Sequence, residues 1–106
     1  MPIWSVRTVT SQPQLRLVDW SIIEIQNGDR HFVGYNVDDS EGRVSTAIKA
    51  FDPKSRKGVT SSGRVYELLG EPGYDAEAEH VWEGWKRVNS VSASRNVTEE
   101  VLSGDL

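Results

Sequence analysis

Two histidines, His31 and His80, are the side chains best suited to proton transfer or metal binding in this chain. Neither has a carboxylate at the spacing of a metal-binding signature such as H-E-x-x-H. No serine occupies a nucleophile elbow or an S-x-x-K motif, and there is no glycine-rich phosphate loop. Since the chain has no cysteine, disulfides and thiolate-held metals are excluded as well. The sequence therefore predicts a protein that is not an enzyme, with no catalytic residue, no metal site and no cofactor.

Charge is the second feature that could serve a function, because it is segregated along the chain. The net charge is −4 and the sequence pI is about 5.1. Residues 67–83 contain no lysine or arginine, whereas residues 43–64 contain a single acidic residue. This segregation predicts two oppositely charged surfaces, one suited to a basic partner and one to an anion. The basic residues of the second segment are Arg43, Lys49, Lys54, Arg56, Lys57 and Arg64.

The acidic segment favours a protein-binding function. Glu77, Glu79 and Glu83 are expected on the exposed side of a helix. Trp20 is expected at the surface, where a tryptophan rimmed by charge is a typical hot spot of a protein interface. On this interpretation the chain is a small non-enzymatic binding or regulatory protein of bacterial or phage type. Its acidic helix face would inhibit a nucleic-acid-handling or host-defence complex, by imitating nucleic-acid phosphates.

The basic segment favours an alternative, a nucleic-acid-binding module. Phe51 and Tyr66 lie among or beside the six basic residues, and a basic sheet face with aromatic side chains is how many single-strand binders work. The acidic pI argues against this alternative, because dedicated nucleic-acid-binding domains are usually basic. A protein partner is therefore expected first, and nucleic acid is the second hypothesis.

The strands that would carry these surfaces are indicated by alternating apolar residues. Residues 14–26 have the strongest strand pattern, and its break in parity near Asp19 predicts either a β-bulge or a strand that is partly covered on both faces. Asn27-Gly28 predicts a tight turn into a return strand. Residues 43–51 alternate cleanly, and Ser62-Gly63 predicts a further hairpin turn. Together these patterns predict an antiparallel meander of four to five strands.

One amphipathic helix is predicted over residues 75–89, with Asp75 as its N-cap. Gly84, in the middle of that helix, predicts close approach to a strand or to a tryptophan ring. Residues 96–102 predict a short C-terminal helical turn. The fold class predicted is therefore α+β, with the long helix packed on one face of the sheet. The apolar stripe expected to pack there comprises Ala78, Val81, Trp82, Trp85 and Val88.

The length of 106 residues predicts one domain, over residues 14–106. Residues 1–13 are expected to form an N-terminal arm or an edge strand, because Pro2 and Pro13 limit pairing. No apolar run approaches the roughly 20 residues of a membrane span, and the N-terminus lacks a signal-peptide pattern. A cytoplasmic protein without membrane contact is therefore expected. An unpaired sheet edge would also allow a homodimer.

Overall fold

The computed structural model describes residues 14–103. The arm or edge strand expected at residues 1–13 lies outside the described residues. In chain order the elements are β1 (Gln14–Ile25), β2 (Arg30–Asn36), β3 (Glu41–Val44), β4 (Ile48–Asp52), β5 (Lys57–Thr60), β6 (Val65–Leu68), α1 (Ala76–Val88), β7 (Ser94–Asn96) and α2 (Thr98–Leu102). No helix in this part of the chain is long and apolar enough to span a bilayer.

The sheet is mixed, with strand order β3-β2-β1-β6-β5-β4 and with β7 paired to the C-terminal half of β1. β1 and β6 run parallel, and the other neighbouring strands are antiparallel. The α+β class is confirmed, but the purely antiparallel meander of four to five strands is wrong, since seven strands are described. Residues 43–51 are broken at 45–47 into two strands, and β6 returns beside the N-terminal half of β1.

The sheet rolls up, so that β4, at one end of the strand order, comes close to β2 near the other end. β3 and β4 stand at opposite ends of the strand order, yet only residues 45–47 separate them in the chain. The ring of Phe32 on β2 lies 5.7 Å from that of Phe51 on β4. A Cβ on Gly58 of β5 would lie 2.5 Å from the Phe32 ring, so only glycine lets the ring cross the interior. The core inside the roll comprises Leu15, Leu17, Trp20, Ile22, Phe32, Tyr66, Leu68, Val97 and Val101.

The predicted bulge in β1 is confirmed at Asp19, which has a φ of 47°. The pairing of β1 with β2 shifts register between Val18 and Ser21. Because one extra residue exchanges the two faces of a strand, the inward positions change there. Leu17 points inward before the bulge, and Trp20 points inward after it.

α1 confirms the helix predicted over residues 75–89, with Asp75 as the N-cap and Asn89 as the C-cap. The Asp75 carboxylate accepts a hydrogen bond from the backbone N–H of Ala78 at 2.9 Å. Acidic residues lie in the first turn and basic residues in the last, which stabilises both ends of the helix dipole.

The helix covers the outer face of β2 and β3, where it builds a second, smaller core. Ala78 and Trp82 are buried there against Val33. The first helical turn lies so close to β3 that a Cβ on Gly42 would stand 2.5 Å from the carbonyl oxygen of Glu77. Glycine at this position therefore sets the distance between helix and sheet.

α2 confirms the short C-terminal helical turn, and it closes one end of the rolled sheet. Val97 and Val101 belong to the inner core. The Thr98 hydroxyl accepts a buried hydrogen bond from the backbone N–H of Ile22 at 2.9 Å. That bond satisfies a strand N–H which would otherwise be buried without an acceptor.

Candidate functional site

Trp20 is fully buried, so the expectation that it forms part of a protein-binding surface is wrong. Its indole N–H donates a hydrogen bond to the carbonyl oxygen of Leu69 at 3.1 Å. The guanidinium of Arg56 lies 5.5 Å from the centre of its ring and donates to the carbonyl oxygen of Gly70. Trp20 therefore anchors the chain segment after β6 to the core.

The rolled sheet disperses the six basic residues of the 43–64 segment. Arg56 covers Trp20, and Arg43 donates a hydrogen bond to the buried hydroxyl of Tyr66 at 3.0 Å. Lys54 lies in the turn before β5, whereas Arg64 is half-buried in the turn at the other end of that strand. The side chains of these four residues therefore do not share one surface.

Lys57, on the outer face of β5, is flanked by acidic residues. It stands opposite Asp52 on β4 and Glu67 on β6 in the strand register. Glu67 in turn stands opposite Arg16 of β1, which forms an ion pair with Asp38 at 2.7 Å. Positive and negative charges alternate along this row, so the row itself gives no concentrated positive potential of the kind that attracts nucleic acid.

The three glutamates of α1 do not form one acidic side. Successive residues of an α-helix are rotated by about 100°, so Glu77 lies about 120–160° around the axis from Glu79 and Glu83. Glu83 forms an ion pair with Lys86 at 3.1 Å, which lowers its pKa. Partial burial, followed by a hydrogen bond with Glu83, raises the pKa of Glu79. The expectation of a shared acidic contact face is therefore wrong for Glu77.

Two of the large exposed apolar side chains of the described residues lie on α1, and a third precedes it. Among the described residues, the large apolar side chains that are exposed are Tyr74 (70% exposed), Val81 (37%) and Val88 (83%), together with Val59 (39%) on β5. The expectation that Val81 and Val88 pack on the sheet is wrong, because the helix faces the sheet with Ala78 and Trp82.

These valines share one side of α1 with Glu77 and Gly84, and we call these four residues the helix flank. At about 100° per residue, the four positions fall within a sector of about 60°. A shallow furrow of about 420 Å³ runs along this side, with Arg87 and His80 at its rim.

Gly84 forms the bottom of this furrow. A Cβ placed there would meet only the Arg87 guanidinium, at 3.8 Å, within the described part of the chain. The expected close approach of Gly84 to a strand or a tryptophan ring is therefore wrong. Glycine in an exposed helix interior lowers helix stability by about 1 kcal/mol relative to alanine, and no contact of the described residues requires it here. The open furrow is its visible consequence.

The histidines are not brought together. His31 is buried on β2, where its Nδ1 lies 2.9 Å from the carbonyl oxygen of Ser45 and its ring packs against Trp85. His80 is exposed on α1. Within residues 14–103, no cluster of three or more potential metal ligands is found.

Two of the other depressions border residues of the inner core, Val101 in one and Trp20 in the other. One, of about 300 Å³, has an apolar floor that includes Phe51 and Val101, with Arg30 and Lys49 among its lining residues. The other, of about 770 Å³, lies between the segment before α1 and α2. Its lining includes Glu100, which is held by Arg95 at 2.8 Å.

A homodimer through a sheet edge is predicted from the sequence without specifying the strand, and one such edge is β4, which pairs only with β5 among the described strands. This edge is short, is irregular between Ile48 and Ala50, carries Lys49 and is followed by Pro53. Each of these features is a device by which proteins discourage pairing at a sheet edge. Dimerisation through the sheet edge stays a prediction, and these features argue against it.

The helix flank was missed at the level of sequence, although one signal pointed to it. The apolar stripe of α1 spans about 120° of the helix circumference, with Val81 and Val88 at one side of it and the buried Ala78 and Trp82 at the other. No known protein family, curated protein or solved structure matches this chain. The geometry of its surface is therefore the basis for any functional proposal.

Proposed function

We propose that this protein is a non-enzymatic protein-binding module whose contact surface is the helix flank. The observation that supports this function is the furrow on α1, which is flanked by the exposed side chains of Val81 and Val88. Contiguous apolar surface rimmed by polar groups marks interaction sites in soluble proteins. Val81 and Val88 present such surface on either side of the Gly84 furrow, with Arg87 and His80 at the rim.

This proposal keeps the protein partner predicted from the sequence but moves the contact surface. Trp20 is no longer part of the contact surface, and Glu77 is retained because it lies beside the exposed valines. Imitation of nucleic-acid phosphates loses support, because Glu83 is paired with Lys86 and lies on another side of the helix. A regulatory role of bacterial or phage type stays part of the proposal. The absence of cysteine agrees with action in the reducing cytoplasm.

Nucleic-acid binding through residues 43–64 is the weaker alternative. Arg43 and Arg56 are engaged by Tyr66 and Gly70, and Lys57 stands between acidic residues. A remaining cationic surface would show itself as a mobility shift that weakens steeply with salt. We expect no such shift at low salt.

The proposed function is tested by affinity capture with two matched variants. Val88→Asp places a carboxylate on the helix flank, and Val59→Asp places one at an exposed valine of β5, outside the flank. Loss of apolar contact together with burial of an unpaired charge should lower affinity at least about tenfold.

With extract of the native host, the wild-type chain and Val59→Asp should capture the same proteins, and Val88→Asp should lose them. Thermal unfolding and circular dichroism show that both variants are folded. Equal capture by all three proteins, or loss only with Val59→Asp, would contradict the proposal.

A further inference from the structure

The helix flank has the features of a surface that packs against itself. Its apolar residues stand on both sides of a gap at Gly84, where the Arg87 guanidinium is the only group of the described residues within 4 Å of a Cβ placed there. We propose that the flank binds a second copy of this chain, with the two α1 helices antiparallel across a two-fold axis. This inference rests on the proposed function, because it takes the same surface and names the partner.

The charge distribution along α1 is the first reason for choosing a second copy. Glu77 and Glu79 lie in the first turn, and Lys86 and Arg87 lie in the last. When two such helices pack antiparallel, the acidic start of each meets the basic end of the other. Opposite charges that face each other across an interface favour and orient the complex.

The charged residues nearest the flank are also available for such contacts. Neither Glu77 nor Arg87 forms an ion pair with another described residue. Glu83 and Lys86, by contrast, are paired with each other and lie on another side of the helix. An intermolecular pair between Glu77 and Arg87 would therefore break no ion pair of the folded chain.

The spacing of the flank residues is self-complementary. A two-fold axis midway between Val81 and Gly84 places Val81 of each copy opposite Gly84 of the other. The same axis places Glu77 opposite Val88 of the second copy, one residue from Arg87. Each valine thus fills the furrow of the other helix, as a side chain fits between residues of a facing helix. A closed dimer with two identical contacts results, which is the commonest symmetry of soluble oligomers.

The small size of the contact indicates a weak, transient dimer. α1 has 13 residues, so the flank is about 20 Å long. Contact along one side of so short a helix buries less than the about 800 Å² per partner of a standard interface. We therefore expect a dimer with a micromolar dissociation constant, which exchanges rapidly with the monomer.

Sedimentation velocity of the full chain from about 10 µM to 1 mM tests the dimer directly. The wild-type protein should shift from monomer to dimer over this range. Glu77→Arg and Arg87→Glu each replace two attractive contacts by repulsive ones, so each variant should dimerise about tenfold more weakly. An equimolar mixture of the two variants restores opposite charges at both contacts, so it should dimerise like the wild type.

A second variant separates the contact from the fold. Gly84→Ala fills the furrow with a methyl group opposite Val81 of the second copy, so dimerisation should weaken at least about tenfold. The same substitution should raise the thermal stability of the monomer, because alanine favours the helix. A protein that is more stable and yet monomeric cannot have lost the dimer by unfolding.

Two results would overturn the inference: a wild-type chain that stays monomeric up to 1 mM, or a dimer that none of these variants weakens. If the wild-type chain is monomeric but its captured partners are lost with Val88→Asp, only the homodimer is refuted, and the proposed function stands. If the wild-type chain is monomeric and Val88→Asp captures the same proteins, both the homodimer and the proposed function are refuted.

Discussion

Gly42 lies where the first turn of α1 meets β3, and its replacement by alanine tests the position of the helix. A Cβ at residue 42 would stand 2.5 Å from the carbonyl oxygen of Glu77 and 2.6 Å from the backbone nitrogen of Ala78. Carbon and oxygen or nitrogen atoms do not approach so closely without a bond between them. Because both contacted atoms belong to the backbone, no change of rotamer relieves the overlap, and the helix itself must retreat from the sheet.

The size of the effect follows from what the retreat disturbs. Adding a methyl group to a close-packed site destabilises a protein by about 1–3 kcal/mol. We expect Gly42→Ala near the upper end, because the displaced turn also carries Ala78 and its packing against Val33. A loss of about 2–3 kcal/mol corresponds to a decrease in Tm of about 10–20 °C for a domain of this size.

Urea unfolding followed by tryptophan fluorescence measures this loss, with thermal unfolding as a second probe. Gly84→Ala is the matched control, since its Cβ meets no atom of the described residues closer than 3.8 Å. That variant should be stabilised by up to about 1 kcal/mol. If Gly42→Ala changes the free energy of unfolding by less than about 0.5 kcal/mol, the helix does not rest on β3 as described.

Two further substitutions test individual interactions. Thr98→Val removes the acceptor of the buried Ile22 N–H, so the free energy of unfolding, measured in urea, should decrease by about 1–3 kcal/mol. Thr46→Val is the control, because it removes an exposed acceptor and should have little effect. Equal losses in the two variants would refute the role of the Thr98 hydroxyl. Partial burial is the main reason why the pKa of Glu79 is raised in the folded chain. The contribution of Glu79 to the stability of the fold is therefore present below its unfolded pKa of about 4.3, and it is lost as the pH rises through the folded pKa. The free energy of unfolding of Glu79→Gln should therefore equal that of the wild type near pH 4 and exceed it by about 0.3 kcal/mol at pH 7, in unfolding curves measured at both pH values. A variant that is stabilised equally at both pH values would contradict the raised pKa of Glu79.

Local features of the fold could be predicted because their causes lie close together in the sequence. Asp75 caps α1, the parity break at Asp19 marks the bulge, and Asn27-Gly28 makes the turn between β1 and β2. The parallel pairing of β1 with β6 could not be predicted in this way. The position of β6 depends on which strand edges are unpaired in the folded sheet. The alternation of residues within a strand contains no information about its neighbour.

The surface was harder to predict than the fold, since neighbours in sequence diverge in space. Trp20 has the sequence context of an exposed residue, yet the bulge turns it into the core. Arg43 and Lys57 belong to one basic segment, but one donates to a buried hydroxyl and the other stands between acids on the outer face. The basic residues are therefore neighbours in the sequence, but the rolled sheet separates their side chains in space.

Position-specific cross-linking tests most directly whether the helix flank is the contact surface. A photoreactive side chain replaces Val88 in one variant and Val59 in another, and both variants are irradiated at equal concentration in extract of the native host. Reaction at residue 88 should give covalent adducts, with a second copy or with another protein, and residue 59 should give none. Adducts that form equally at both positions, or only at residue 59, would contradict the assignment of the binding surface to α1.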